Sequence, residues 1–213
     1  FRRAVFGALP CAMAQDSHLS TPLPPALGGV HTILATPAGD ISLYRAQPEG
    51  GASGAPILLL IHSVNAAASA AEVRPLHAHY CATRTVFSVD LPGFGFSERS
   101  DRAYTPAVMT EALHVMTDEI SKHCGTSPVD ALALSLSCEF LARAAAEAPD
   151  RFRSLALVSP TGFSGGKPRR GAPGSTLHMP WLLAALRGPG WGGTVFRALT
   201  RSSVIRFFLK KTW

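Results

Sequence analysis

The sequence predicts an α/β fold: a mostly parallel sheet with flanking helices and a partial helical cap. Three observations carry this. Four continuous apolar runs of strand length recur along the chain, at Ile57–Ile61, Thr85–Asp90, Val129–Leu134 and Leu155–Ser159. Runs of this kind suit parallel strands buried on both faces. Helix-like stretches alternate with them, which implies βαβ units with right-handed crossovers. Hydrophobic residues make up 46% of the 213 and charged residues 16%, a balance that can build a core.

Taken in order, residues 1–27 read as an N-terminal segment and linker. Arg2 and Arg3 precede a short apolar run, Ala4 to Ala14, closing on Ala12-Met13-Ala14. This resembles the tail of a secretory signal, and the plainer reading is a frayed apolar N-terminus. The expected location is cytoplasmic, with export or membrane anchoring through residues 2–14 as the alternative. No apolar run approaches the roughly 20 residues that span a bilayer. The Pro- and Gly-rich stretch Ser20–Gly29 is a linker.

Residues 28–163 form the predicted core. Val30–Ala35 and Ile41–Ala46 flank the turn cluster Thr-Pro-Ala-Gly-Asp and predict a β-hairpin. Beyond it, the spacing predicts helices over Ala70–Ala82, Pro106–His123 and Leu136–Ala148, each between two apolar runs. After Gly162 the alternation ends. Ser164–Ser175 is Gly-, Pro- and basic-rich, and helices are expected at Pro180–Arg187 and Thr194–Lys210.

Charge divides the same way. Gly28–Gly165 holds 9 basic and 13 acidic residues, whereas Gly166–Trp213 holds 9 basic residues and no acidic one. The overall +6 is therefore a property of the C-terminal segment. An acidic core without a recognition motif speaks against nucleic-acid binding. The four cysteines, Cys11, Cys81, Cys124 and Cys138, form no C-x-x-C pair and no metal-ligand spacing. They are expected to be free thiols, with no zinc site and no cofactor.

In open α/β sheets ligands bind beyond the C-terminal ends of the strands, so the residues after each apolar run matter most. The third run passes into Ala133-Leu134-Ser135-Leu136-Ser137, with a helix directly following. The second ends Asp90-Leu-Pro-Gly-Phe-Gly-Phe-Ser97, and the first ends His62-Ser63-Val64-Asn65. Taken together, these three loops resemble those of the α/β-hydrolase family, in a bacterial branch and in the right order from Ile57 to Gly162. The 90–97 stretch is the most specific of them, resembling the family's D-x-P-G-x-G-x-S loop. A phosphate-cradling loop is its rival, but no Lys-Ser/Thr follows Gly95.

The resemblance implies a serine hydrolase acting on an ester or related acyl substrate. Ser135 would be the nucleophile at a strand-to-helix elbow, G-x-S-x-G in most members. Here Ala133 and Ser137 replace the glycines. The crowded turn needs small side chains on both sides, and only the Ser135 register supplies them. Shifting the nucleophile to Ser137 would place Glu139 there, and shifting it to Cys138 would place Leu136 and Phe140 there. The bland alternative is that Ser135 merely caps a helix. The backbone N–H groups of Val64 and Leu136 would form the oxyanion hole. His62 would orient its loop and Asn65 could reach the pocket with its amide, while Ser63 departs from the usual Gly. A Ser at the elbow argues against dehalogenase or epoxide hydrolase chemistry, which uses Asp there in this family.

The family's triad runs Ser, acid, His along the chain. No Asp or Glu follows Asp150, and the later His is His178, in a Pro/Gly-rich stretch. A serine without its base is a poor nucleophile. The ending at Trp213, inside a helical pattern, leads us to expect a C-terminally truncated, inactive fragment. The alternative is a non-catalytic small-molecule-binding protein of the same fold. Residues 164–213 would form a cap whose apolar face roofs the pocket. The rival is a basic amphipathic surface, residues 194–213, resting on a membrane.

Overall fold

The computed structural model describes residues 24–51, 54–65, 67–125, 128–161 and 191–212. The signal-like stretch 2–14, Cys11, the basic loop 164–175, His178 and the helix expected at 180–187 lie outside them.

Six strands form one sheet: β1 (Val30–Leu34), β2 (Ile41–Ala46), β3 (Leu58–Ile61), β4 (Val86–Val89), β5 (Val129–Leu134) and β6 (Phe152–Val158), in the order β1-β2-β4-β3-β5-β6. The hairpin β1/β2 is antiparallel, and β2 joins β4 antiparallel. The remaining pairs are parallel. The hairpin turns at Thr36–Gly39, where the Gly39 N–H donates to the Thr36 carbonyl at 2.9 Å.

Strand parity divides the core into two layers. Leu59, Ile61, Phe87 and Val89 face α2 (Pro106–Cys124) and α3 (Ser137–Glu147). Met109, Leu113, Met116 and Ile120 make the buried stripe of α2, at the spacing expected of one helix face. Pro106 opens that helix, and Thr105 caps it by accepting from the Val108 N–H. The opposite parity, Leu58, Leu60 and Val86, packs on Val73 and Leu76. The latter two belong to a 3-10 turn, Ala70–Val73, and to α1 (Arg74–Tyr80). A single helix was expected there. The tighter first turn carries Ser69 as its cap and ends where Pro75 enters the first turn of α1.

At the other end of the strands Asp130 on β5 binds Arg84 (2.7 Å), Arg153 and Ser154. Its side chain is 8% exposed. Burial raises its pKa, but the hydrogen bonds from Arg153, Ser154 and Arg84 outweigh this and hold it down at about 2.

Two further expectations are corrected. The strand expected at Leu155–Ser159 starts at Phe152, because Arg153 and Ser154, which interrupt the apolar run, are held by Asp130. It is also not buried. It is the last strand of the described sheet, and Leu155, Leu157 and Val158 are about two-fifths exposed, on both faces. The helix expected at Thr194–Lys210 is two helices, α4 (Gly192–Leu199) and α5 (Ser202–Thr212), with the break at Thr200-Arg201. Among the described residues no helix is long and apolar enough to cross a membrane.

Candidate active site

Three loops leave the C-terminal ends of β3, β4 and β5 side by side, because these strands are parallel neighbours. The sharpest turn is at Ser135. Its φ is +55°, in the left-handed region that residues with a side chain avoid at a cost of about 1–2 kcal/mol. The turn is held from outside. The Ser135 N–H donates to the Val158 carbonyl at 2.9 Å, and the Ser135 carbonyl accepts from the Thr161 N–H at 3.3 Å. Ser159, at the end of β6, is a second left-handed serine with φ +48°.

The hydroxyl of Ser135 does not cap α3. Leu136 stands at that helix's N-cap, and no side chain bonds the first turn. Ser135 Oγ instead lies 3.4 Å from Thr161 Oγ1. Among the described residues no histidine and no carboxylate is hydrogen-bonded to it.

The small residues flanking Ser135 are both buried, Ala133 and Ser137 alike. Ser137 does more than fit. Its Oγ donates to the His62 carbonyl at 2.6 Å, linking the start of α3 to the loop after β3. No signal in the sequence distinguished this role from mere smallness.

His62 is fully buried. Its Nε2 accepts from the Leu91 N–H at 3.0 Å, so the proton sits on Nδ1, which donates to the Ser63 carbonyl. Burial pushes its pKa down, against the opposing pull of the Ser63 carbonyl and of Asp90 and Glu72. The ring is a neutral strut between two loops.

Glu72 anchors the same loop, a role the sequence reading missed. Its carboxylate accepts from the Ser63 N–H (2.9 Å), Ser63 Oγ (3.0 Å) and Asn65 Nδ2 (2.8 Å). Burial works to raise its pKa, yet these hydrogen bonds bring it below the ordinary glutamate value. The Asn65 amide nitrogen also donates to Ser63 Oγ at 2.7 Å. The Asn65 amide thus has two acceptors within the loop's own frame. Ser63, in place of glycine, supplies the hydroxyl that makes this frame.

The third loop is built around Asp90, fully buried. Its carboxylate accepts from Ser42 Oγ (2.8 Å), the Ala70 N–H (2.7 Å) and the Phe96 N–H (3.1 Å). Gly95, with φ +51°, passes so close that an added Cβ would lie 2.1 Å from Asp90 Cγ. Glycine there is a requirement of space as well as of conformation.

Val64 and Leu136 meet across a cavity of about 160 Å³, walled by Phe94, Tyr104, Met109 and Phe140. It is an apolar recess beside the Ser135 turn, with two loop backbones at its edge. Such a recess can take a small apolar group.

Residues 56–199 match the family model described as alpha/beta hydrolase fold. No curated protein matches the chain. Among solved structures it is similar to an alpha/beta hydrolase fold protein from Burkholderia ambifaria at 20% identity and TM-score 0.52, covering 67% of this chain and 47% of that one. Carboxylesterase CesB (YbfK) from Bacillus subtilis is similar at 22% identity and TM-score 0.52, covering 62% and 44%. A haloalkane dehalogenase loop variant, DbeA-M1 from Bradyrhizobium elkanii, is similar at 20% identity and TM-score 0.52, covering 61% and 40%. At these identities the likeness is one of fold. The chain spans less than half the length of each of these structures.

Proposed function

We propose, from the premise that this chain belongs to the α/β-hydrolase fold family, that it carries the nucleophile and oxyanion site of a serine hydrolase for an ester or related acyl substrate. The observation that carries the reading is the left-handed backbone at Ser135, φ +55°. A serine with a free choice of conformation does not hold this strain. Here it is maintained by the Ser135 N–H donating to the Val158 carbonyl and the Thr161 N–H donating to the Ser135 carbonyl, while its hydroxyl does not cap the helix it precedes.

In this reading Ser135 Oγ adds to the substrate carbonyl carbon, and the carbonyl oxygen becomes an oxyanion. The N–H groups of Val64 and Leu136, at the rim of the shared recess, donate to it. The general base takes the Ser135 proton and returns it to the leaving oxygen, so collapse expels the alcohol and leaves an acyl-serine, which water, deprotonated by the same base, hydrolyses to the acid and free Ser135. The Ser63–Glu72 and Ser137–His62 bonds hold the two donor-bearing backbones in fixed relation. His62 is not the base, since both ring nitrogens are engaged. The reading assigns the general base and its acid to no residue of this chain, and the chain alone is expected to be inactive.

The test is a fluorophosphonate probe applied to the protein at its natural length, with Ser135→Ala as control. Labelling that vanishes in Ser135→Ala supports a serine hydrolase. Absence of labelling in a folded, full-length protein favours a non-catalytic binding protein of the same fold.

A further inference from the structure

The wall of the recess beside Ser135 determines what can enter it. Among the described residues no charged side chain lines it. Its one hydroxyl, that of Tyr104, is committed elsewhere and donates to the Ser100 carbonyl at 3.0 Å. Tyr104 therefore offers the recess its ring. That ring lies against Gly93, where an added Cβ would stand 2.9 Å from Tyr104 Cε1, so only glycine lets it come so close. Met109 and Phe140, each 3% exposed, belong to the core and close the recess on its inner side. No side chain in this wall can compensate a polar group for lost water, so an apolar group is the one that gains by entering.

Size narrows the class. A volume of about 160 Å³ is far below the roughly 300–1,000 Å³ that takes a whole drug-sized ligand. It matches an apolar cavity of about 150 Å³, which holds a single benzene ring. Packed side chains give way little, so a second fused ring would have to displace Met109 or Phe140 from the core. Leu136 lines the recess and directly follows Ser135, their Cα atoms about 3.8 Å apart, so a group seated there sits next to the turn that bears the hydroxyl.

We propose that this recess is a binding site for one compact apolar group, an aromatic ring or an aliphatic group of about six carbons, and that, on the reading of Ser135 as the nucleophile, it selects the ester by the size of that group. The group can belong to the acyl or to the alcohol part of the ester.

Two measurements on the protein at its natural length test this, the first without any reaction. With isotope-labelled methionine methyls, toluene is expected to shift the Met109 signal saturably. Met116, buried about two turns further along α2 and outside the recess, should not move. Methylnaphthalene should leave Met109 unmoved in the wild type and shift it in Phe140→Leu, where the recess is enlarged. The second measurement is hydrolysis of isomeric esters. Methyl phenylacetate carries the ring on the acyl side and benzyl acetate carries it on the alcohol side. One of them is expected to exceed methyl acetate in kcat/KM by at least about tenfold, and the isomer that does so assigns the side. Its naphthyl counterpart should fall back by about tenfold, and Phe140→Leu should recover it. No saturable shift at Met109 overturns the proposal, whether or not the variant folds. So does Ser135-dependent labelling or hydrolysis in which the ring brings no advantage on either side, a result that leaves the serine hydrolase reading standing. Absence of all labelling and hydrolysis, with Met109 still answering toluene, overturns that reading and upholds the recess as a single-ring site.

Discussion

Ser137 Oγ donates to the carbonyl of His62 across 75 residues of sequence, at 2.6 Å. This one bond fixes the start of α3 against the loop after β3, the two segments whose Leu136 and Val64 line the apolar recess. We expect Ser137→Ala to cost about 1–2 kcal/mol in urea unfolding, because the buried carbonyl of His62 loses its donor. On the proposed function, probe labelling at Ser135 in the protein at its natural length should slow severalfold, since the loop after β3 is freed to drift. A variant with wild-type stability and labelling would show that smallness alone matters at this position.

Ser135 stores strain that glycine would not feel. Both Ser135→Gly and Ser135→Ala lose the hydroxyl and its contact with Thr161, so the difference between them isolates the backbone. Ser135→Gly should be more stable than Ser135→Ala by about 1 kcal/mol in chemical denaturation. Equal stabilities would mean that the left-handed turn is not kept in solution.

Gly95 admits no side chain. Gly95→Ala places a methyl group within 2.1 Å of the Asp90 carboxyl carbon and keeps it in a left-handed conformation. A loss of more than about 2 kcal/mol is expected, read as a lowered urea midpoint. Gly50, also left-handed but with nothing within 4 Å of an added Cβ, is the control. Gly50→Ala should cost about 1 kcal/mol, and equal losses at the two sites would argue against the clash.

Asp130 makes stability depend on acid. Its folded pKa is about 2, below its ordinary 3.8, so the folded state binds fewer protons than the unfolded one between these values. The stabilisation is complete above pH 4 and is lost as pH falls toward 2. It amounts to roughly 2 kcal/mol. Asp130→Asn should flatten the part of the stability profile between pH 4 and pH 2. A wild-type profile retained in Asp130→Asn would place the acid sensitivity elsewhere.

How legible all this was depended on what each feature is made of. Central strands came through within a residue or two, since burial on both faces writes them as apolar runs. The start of β6 did not, because Arg153 and Ser154 belong to a polar contact with β5 that only the fold brings about. The break between α4 and α5 was hidden by amphipathic spacing that continues across Thr200-Arg201. At the site, a tight turn at Ser135 between two small residues was readable despite the missing glycines. The anchoring by Glu72 and the contact of Thr161 with Ser135 were not. Both join residues on separate elements, and neither residue type is unusual for its place.

The exposed strand β6 also governs how the described sheet can be extended. Among the described residues β6 pairs with a strand on one side only, and an edge that shows leucine and valine on both faces is a template for adding another strand. Proteins blunt such edges with lysine or proline, yet within β6 the charge is confined to Arg153 near its beginning. Its open side is where a further strand would add to the described sheet, and a lysine in place of Leu157 should weaken such pairing.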